Sequence, residues 1–306
     1  MTTCATLRLI PARGNPLQPS TARVRLDPDG IVTVKMAMTD IGTGTYTILT
    51  QITSEMLGVP PGNVRTQLGD TAYPMASGSG SSFGAASCSG SALFGACMNL
   101  RAKLARAAGM DPNTANFADG NITLGNESKS LRTLVGNAGM EADGSIQPGA
   151  TLKEDSQQSY GAQFAEVGVD IDTGEIRLRR MLGVFTAGRV LNAKTARSQA
   201  IGGMIFGVSS ALEEEMLLDK RYGMYVNNDL AQYHVPVHAD IPYVDAIFLP
   251  ELDSKANPLK SKGVGELGIC GAGASVANAV YNACGVRVRN YPITLDKVLA
   301  GLPAQV

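Results

Sequence analysis

The sequence predicts an α+β fold in which mixed and antiparallel sheets pack against helices. Two stretches, 22–36 and 162–185, alternate apolar and polar residues on either side of a tight turn, as antiparallel hairpins do. Each stretch is followed by a segment whose apolar residues recur at helical spacing. Because these elements do not form regular βαβ repeats, layered sheets and helices are favoured over a doubly wound parallel sheet.

The first half of the chain begins with a hairpin whose turn is Asp27-Pro28-Asp29-Gly30, a sequence typical of tight turns. The helix that follows is expected to end at Gly58. The predicted elements are the strands Ala22–Leu26 and Ile31–Met36, a helix Tyr46–Leu57, a strand Val64–Leu68 and a helix Cys88–Ala108. Residues 110–158 show weak periodicity and are expected to be a peripheral insertion or a connection between lobes.

The second half has a longer hairpin around Asp172-Thr173-Gly174, followed by a long helix. Asn192 is a natural N-cap for that helix, because its side chain can accept a hydrogen bond from the first turn. The predicted elements are the strands Ala162–Asp170 and Glu175–Phe185, a helix Ala193–Leu217, an extended segment Tyr225–His234, a strand within Ile241–Leu249, and helices Ser275–Cys284 and Leu295–Leu302.

Composition and charge exclude several classes of function. The 26 basic and 27 acidic residues leave a net charge of −1, which offers no attraction to nucleic acid or to an anionic membrane. No apolar run reaches the roughly 20 residues that a membrane-spanning helix needs, and the N-terminus lacks the apolar core of a signal peptide. The cysteines have no CxxC spacing, and Pro236 between His234 and His238 argues against a helical metal site.

The N-terminal residues do not resemble the start of a folded domain, and the first convincing strand begins at Ala22. We therefore expect an atypical segment at 1–20, a first lobe at 21–158 and a second lobe at 159–306.

The run Lys262–Gly268 is the most informative motif. It places the carboxylate of Glu266 among glycines, just ahead of a helical segment. Glycines let the backbone approach a bulky ligand, and a carboxylate beside such a ligand is a candidate general base. The alternative to a ligand site is a surface turn in which Glu266 lies near a helix N-terminus, where a carboxylate is favourable. The run also matches GxGxxG, but Asn257–Lys262 before it is a poor buried strand, so a Rossmann dinucleotide loop is not favoured.

Four separated segments share small residues and free backbone N–H groups. They are Gly42–Gly44, Ser79–Ala86, Arg189–Thr195 and Lys262–Gly265. Arg189 and Lys194 add positive charge, and Thr195 and Gln199 share a helix face. Such elements suit one large, elongated cofactor that carries phosphate, although each element alone is common.

Four motifs occur in order along the chain: Thr39–Leu49, Gly78–Ala86, Gly188–Gln199 and Lys262–Gly268. Together they resemble the molybdenum-cofactor subunit of the xanthine dehydrogenase and aldehyde oxidase family, and within it the bacterial periplasmic aldehyde oxidoreductases. The resemblance extends from about residue 13 to the C-terminus. It implies that the two expected lobes are molybdopterin-binding lobes.

The resemblance implies an enzyme that oxidises aldehydes, aromatic ones included, to carboxylic acids with water as the oxygen donor. Glu266 would be the catalytic general base. The cofactor would be a molybdenum–molybdopterin cytosine dinucleotide, whose pterin dithiolene holds the metal, so no protein ligand to the metal is expected. The residues that would contact the cofactor are Gly42, Thr43, Gly44, Ala85, Ala86, Arg189, Val190, Leu191, Asn192, Ala193, Lys194, Thr195, Gln199, Lys262, Gly263, Val264 and Gly265.

The resemblance also implies partners. Electrons would leave through an iron–sulfur subunit and a FAD subunit, since five scattered cysteines do not form a cluster motif. Family subunits are typically more than twice this long and carry an N-terminal Gly-Gly-Gly-Phe-Gly-Gly loop that is absent here. We therefore expect the C-terminal half of such a subunit, either naturally split from its N-terminal half or truncated. Export to the periplasm together with a partner and residence in the cytoplasm are the two expected locations.

Two other functions stay open. The chain could be a non-catalytic remnant that folds without binding the cofactor, or a hydroxylase of N-heterocycles. Whatever its function, half of a subunit should expose apolar surface near Gly42–Gly44 and Glu266. We therefore expect the chain to associate with itself or with the N-terminal half.

Overall fold

The computed structural model of the chain describes residues 2–13, 18–76, 87–149 and 154–303. The strands are β1 (Thr2–Arg13), β2 (Ser20–Leu26), β3 (Val32–Met36), β4 (Val64–Leu68), β5 (Asn116–Ala118), β6 (Asn121–Leu124), β7 (Glu127–Ser130), β8 (Met140–Ile146), β9 (Gln158–Val169), β10 (Ile176–Thr186), β11 (Leu218–Asp219), β12 (Met224–Tyr225) and β13 (Val244–Phe248). The helices are α1 (Thr45–Leu57), α2 (Gly90–Ala108), α3 (Leu131–Leu134), α4 (Ala193–Leu212), α5 (Ile269–Cys284) and α6 (Leu295–Gly301). Mixed sheets with packed helices confirm the predicted α+β class.

The first unit consists of the sheet β4-β3-β2-β8 with helices α1 and α2 packed against it. Every second residue of β2 and β3 is buried, which is the alternation that predicts a half-buried hairpin. β4 runs parallel to β3 because α1 forms the crossover between them. Leu49 of α1 and Leu93 and Leu100 of α2 are fully buried in this core.

The second unit consists of the sheet β1-β9-β10-β13 with helices α4 and α5 packed against it. β9 and β10 form the long predicted hairpin, and β13 lies parallel to β10 after the crossover through α4. Phe185, Met204 and Val276 are fully buried where the sheet and the two helices meet. α4 and α5 therefore have fixed positions relative to this sheet.

The structure confirms both predicted hairpins, and β4 has the predicted bounds. Two helices differ from their predicted bounds by more than two residues. α4 ends at Leu212 rather than Leu217, because the acidic run Glu213–Glu215 would lie at the negative end of the helix dipole, where carboxylates are unfavourable. α5 starts at Ile269 rather than Ser275, so this helix begins directly after the run Lys262–Gly268, which is called the Glu266 loop below.

Two irregular segments also differ from expectation. Within 110–158, strands β5–β7 form a small sheet of their own, but β8 pairs with β2 in the central sheet of the first unit. In the segment expected to be extended, Tyr225–His234, only Tyr225 lies in a strand, because Asp229 accepts hydrogen bonds from the next residues and forms a turn.

Residues 2–13 form β1 and pair with β9, which lies far away in sequence, so no local pattern reveals this pairing.

The lobe boundaries at 20 and 158 remain predictions. Within the described ranges, no helix combines the length and the hydropathy that crossing a bilayer requires.

Candidate functional site

A pocket open to solvent lies between the two units, where α1 and α4 begin. Its wall comes from three parts of the chain, 43–48, 187–199 and 261–264. The residues that line it are Thr43, Thr45, Ile48, Ala187, Arg189, Val190, Leu191, Asn192, Thr195, Ala196, Gln199, Ser261, Lys262 and Val264. Segments that are far apart in sequence thus meet at one place.

The start of α1 depends on two glycines in the left-handed conformation. Gly42 has φ +94° and Gly44 has φ +89°, values that other L-residues rarely adopt. The Asp40 carboxylate holds this turn by accepting the N–H of Gly42 at 2.8 Å and that of Tyr46 at 3.4 Å. A Cβ on Gly44 would lie 3.1 Å from Cγ2 of Thr195, so the starts of α1 and α4 are nearly in contact.

The start of α4 faces the same pocket. Asn192 is its N-cap and accepts the N–H of Thr195 at 2.9 Å, which confirms the predicted cap. The Asn192 amide also donates to Gln51 of α1 at 2.9 Å, a direct link between the two units. Because both helices begin here, the positive ends of both dipoles lie at the pocket and favour an anionic group.

Two cations of the pocket wall are paired with carboxylates. Arg189 donates to Glu55 of α1. The Lys262 ammonium lies 2.9 Å from Glu251 and 3.1 Å from Asp253, and its side chain is only 4% exposed. Burial opposes the charge on Lys262, but the two carboxylates outweigh burial, so the pKa of this ammonium is raised. The positive potential of the pocket therefore comes from helix ends more than from free side-chain charge.

Backbone hydrogen bonds join the Glu266 loop to the segment after β10. The N–H of Lys262 donates to the carbonyl of Ala187 at 2.8 Å, and the N–H of Arg189 donates to the carbonyl of Lys260 at 2.7 Å. These two hydrogen bonds hold the backbone of residues 187–189 against that of residues 260–262.

Glu266 lies near the end of this loop, separated from α5 by Leu267 and Gly268, and it is not part of the pocket wall. Its side chain is exposed, and its carbonyl accepts the N–H of Cys270 at 3.4 Å in the first turn of the helix. Gly268, the N-cap of α5, packs directly on α4, since a Cβ there would lie 2.2 Å from the carbonyl oxygen of Ala200. This contact fixes the place of the loop relative to α4.

Two residues of the pocket wall carry buried hydroxyls without protein partners. Among the described residues, the hydroxyl oxygens of Thr45 and Ser261 are buried, make no hydrogen bond and belong to residues of the pocket wall. A buried polar group costs about 1–3 kcal/mol unless a ligand or water satisfies it. Two such hydroxyls beside two helix N-termini leave unused hydrogen-bonding capacity in the pocket wall, which fits a ligand that carries phosphate and other polar groups.

The structure brings most of the predicted cofactor residues to this pocket. Those in its wall are Thr43, Arg189, Val190, Leu191, Asn192, Thr195, Gln199, Lys262 and Val264. The predicted residues Gly42, Gly44, Ala193, Lys194, Gly263 and Gly265 belong to the same segments outside the wall, and Ala85 and Ala86 lie outside the described residues. Sequence reasoning missed Thr45, Ile48, Ala187, Ala196 and Ser261, which adjoin the motifs but carry no chemical signal of their own.

Comparison with known proteins agrees with the motifs. Residues 3–242 match the family described as molybdopterin cofactor-binding domain. The aldehyde oxidoreductase molybdenum-binding subunit PaoC of Escherichia coli (strain K12) is 53% identical over 291 residues, which cover 95% of this chain and 40% of that protein. The putative xanthine dehydrogenase molybdenum-binding subunit XdhA of the same strain is 31% identical over 302 residues, covering 92% of this chain and 40% of that protein.

Among solved structures, quinoline 2-oxidoreductase from Pseudomonas putida 86 superposes with a TM-score of 0.84 at 24% identity, covering 98% of this chain and 41% of that chain. At 24% identity, this likeness shows that the two chains share a fold. The chain spans about 40% of the length of the curated relatives it matches. Because the family match covers most of the chain and the sequence identity agrees with it, the chain belongs to the xanthine dehydrogenase and aldehyde oxidase family of molybdopterin cofactor-binding proteins.

Proposed function

We propose that this chain forms one side of a molybdenum–molybdopterin cytosine dinucleotide site in an enzyme that oxidises aldehydes to carboxylic acids with water as the oxygen donor. The observation that carries the proposal is the pocket, where three predicted segments meet at two helix N-termini. The relative with 53% identity is named an aldehyde oxidoreductase subunit, which favours aldehydes. A relative named for xanthine dehydrogenase is 31% identical, so a hydroxylase of N-heterocycles is the second candidate.

In this proposal the first task of the chain is to bind and orient the cofactor. The N–H groups in the first turns of α1 and α4 that Asp40 and Asn192 do not bind would hold its phosphate groups, and the unpaired hydroxyls of Thr45 and Ser261 would supply further hydrogen bonds. When bound, the cofactor supplies the two-electron redox chemistry of the reaction. Arg189 and Lys262 already have carboxylate partners, so their main contribution would be to fix the surrounding loops.

The second task is proton transfer. Glu266 presents an exposed carboxylate on a loop whose backbone is tied to the segment after β10. The ionised carboxylate would accept the proton that the attacking water-derived oxygen loses as its bond to the substrate carbon forms. A base in this role must lie within hydrogen-bond reach of that proton, so the position of the loop matters as much as the residue type.

Substitution of the proposed base tests this assignment in the assembled complex. Glu266→Gln should keep molybdenum and cytidine nucleotide content within about twofold of wild type and lower turnover at least roughly 100-fold, because the base is lost with little change in shape. Glu127→Gln, at an exposed glutamate on β7, is the matched control and should change neither quantity. Turnover of Glu266→Gln within about tenfold of wild type would contradict the proposed role.

Cofactor analysis separates the enzyme from a non-catalytic remnant. The chain should be purified alone and after co-expression with a polypeptide equivalent to the N-terminal part of its relatives, and each sample assayed for molybdenum and released cytidine nucleotide. Cofactor in the co-expressed sample is expected. Its absence from both samples would overturn the proposal, and turnover of N-heterocycles but not of aldehydes would favour the second candidate.

We also propose partners: that N-terminal polypeptide, an iron–sulfur subunit and a FAD subunit. Exposed apolar side chains support further association, because such surface is usually covered in a stable protein. Ile41 and Tyr46 near the start of α1 are 63% and 46% exposed, and Ile269 after Glu266 is 41% exposed. A further group of exposed apolar residues occupies 216–252, including Leu230 at 84% exposure.

The two expected locations are the periplasm, after export with a partner, and the cytoplasm. Cell fractionation would distinguish them by the compartment in which the chain is found.

A further inference from the structure

The inner face of β9 carries two buried polar side chains next to apolar ones. Ser159 is 0% exposed and Gln163 is 2% exposed, while Ala165 and Val167 continue the same face into the core of the second unit. Burying a hydroxyl or an amide is unfavourable unless the group finds a hydrogen-bond partner. The partners of these two side chains therefore indicate why the strand carries them.

Both side chains donate hydrogen bonds to the backbone of the Glu266 loop. The Ser159 hydroxyl donates to the carbonyl of Gly263 at 2.8 Å. The Gln163 amide donates to the carbonyl of Gly268 at 2.7 Å and, more weakly, to that of Leu267 at 3.4 Å. The strand thus holds the loop on both sides of Glu266.

The orientation of the Gln163 amide follows from its surroundings. Two carbonyl oxygens face its nitrogen, and the reverse orientation would place three oxygen atoms together. Its own oxygen lies against the first turn of α5, where a Cβ on Gly271 would be 3.0 Å away. Gln163 is consequently confined between the loop and the helix that follows it.

The loop needs such support because of its composition. Glycines at 263, 265 and 268 give the backbone around Glu266 more conformational freedom than other residues would. A general base loses effectiveness when its position varies, since proton transfer requires hydrogen-bond distance. Hydrogen bonds from a buried strand restrict that variation without adding bulk beside the pocket.

We propose that Gln163, assisted by Ser159, is a positioning residue that acts through Glu266 by fixing the loop that carries it. This inference rests on the proposed role of Glu266 as the base. Gln163 touches neither substrate nor cofactor in this assignment, and its effect on turnover requires the Glu266 carboxylate.

Hydrogen–deuterium exchange tests the structural part without any need for activity. Gln163→Met keeps a similar volume and removes the donor, and Gln158→Met on the opposite face of the same strand is the matched control. Backbone exchange in 263–270 should increase in Gln163→Met and not in Gln158→Met, while exchange in α4 stays unchanged. Equal exchange of 263–270 in wild type and Gln163→Met would overturn the proposal. If exchange rises throughout Gln163→Met, Ser159→Ala provides the same test with a smaller change.

A double-mutant cycle in the assembled complex tests the functional part. Gln163→Met should lower kcat roughly 10- to 100-fold with little change in KM or cofactor content, as expected for a displaced base. In a Glu266→Gln background the same substitution should cost nothing further, because the group it positions is gone. Equal losses in both backgrounds would overturn the positioning role alone. Near-normal activity of Glu266→Gln by itself would instead overturn the proposed base.

Discussion

The buried ammonium of Lys262 offers the sharpest test of how the site is held together. Its side chain is 4% exposed and lies within 3.1 Å of two carboxylates, Glu251 and Asp253. The second oxygen of Glu251 accepts the N–H of Gly188 at 2.8 Å, so this cluster joins the segment after β10 to the Glu266 loop. Lys262→Met removes the charge and keeps most of the apolar stem.

The expected loss follows from the burial of the partners. Removing one member of a fully buried ion pair costs about 3–5 kcal/mol, because the remaining charge stays without a partner. Glu251 and Asp253 are 24% and 18% exposed, so water relieves part of that cost. They would, however, repel each other once the ammonium is gone. We expect Lys262→Met to lower the free energy of unfolding by about 2–4 kcal/mol.

Urea denaturation followed by circular dichroism measures this loss as a shift of the midpoint. Lys255→Met is the matched control, since Lys255 lies 2.8 Å from Asp155 but its side chain is 64% exposed. Exposed pairs contribute little, so the control should leave the midpoint nearly unchanged. Equal shifts in the two variants would refute the reasoning, because burial would then not determine the strength of the Lys262 cluster.

Three further predictions concern pH, the loop and association. Because the pKa of Lys262 is raised, its contribution to stability should be full below about pH 10.4, the unfolded value, and be lost as the pH rises through the folded value. Urea midpoints of wild type and Lys262→Met should therefore converge at high pH, and a constant difference would count against this linkage. Gly265→Val should reduce molybdenum content in the assembled complex, since a β-branched side chain would restrict the backbone next to Val264 of the pocket wall, whereas Gly62→Val, where a Cβ meets nothing within 4 Å, should not. Normal content in Gly265→Val would argue against the loop's placement. Light scattering of the isolated chain should show self-association at micromolar concentrations, because large apolar side chains such as Leu230 are exposed, and a stable monomer would be the contrary result.

Much of the local structure follows from the sequence because its causes are local. The turn Asp27–Gly30 and the alternation beside it specify the hairpin of β2 and β3. Asn192 caps α4 because an amide can accept the N–H of Thr195, three residues away. Gly42 and Gly44 both have positive φ, a backbone conformation that glycine adopts easily and other residues avoid.

Other features depend on distances that only the folded chain creates. The partners of Arg189 and Lys262 are Glu55 on α1 and the carboxylates Glu251 and Asp253. Sequence reasoning assigned both cations to the cofactor, because a charge pattern does not reveal which opposite charge will be nearest. The pairing of β1 with β9 is hidden for the same reason, since its contacts are formed between residues that are far apart in the chain.

The sequence by itself thus determined the hairpins, the main helices and the motifs that identify the family. The tertiary structure decided how those motifs act together. It brought the starts of α1 and α4 to one pocket, left the hydroxyls of Thr45 and Ser261 without partners there, and placed Gln163 under the Glu266 loop. The physical reason is that propensity and capping act over a few neighbouring residues, whereas burial and hydrogen-bond partners depend on segments that meet only after folding.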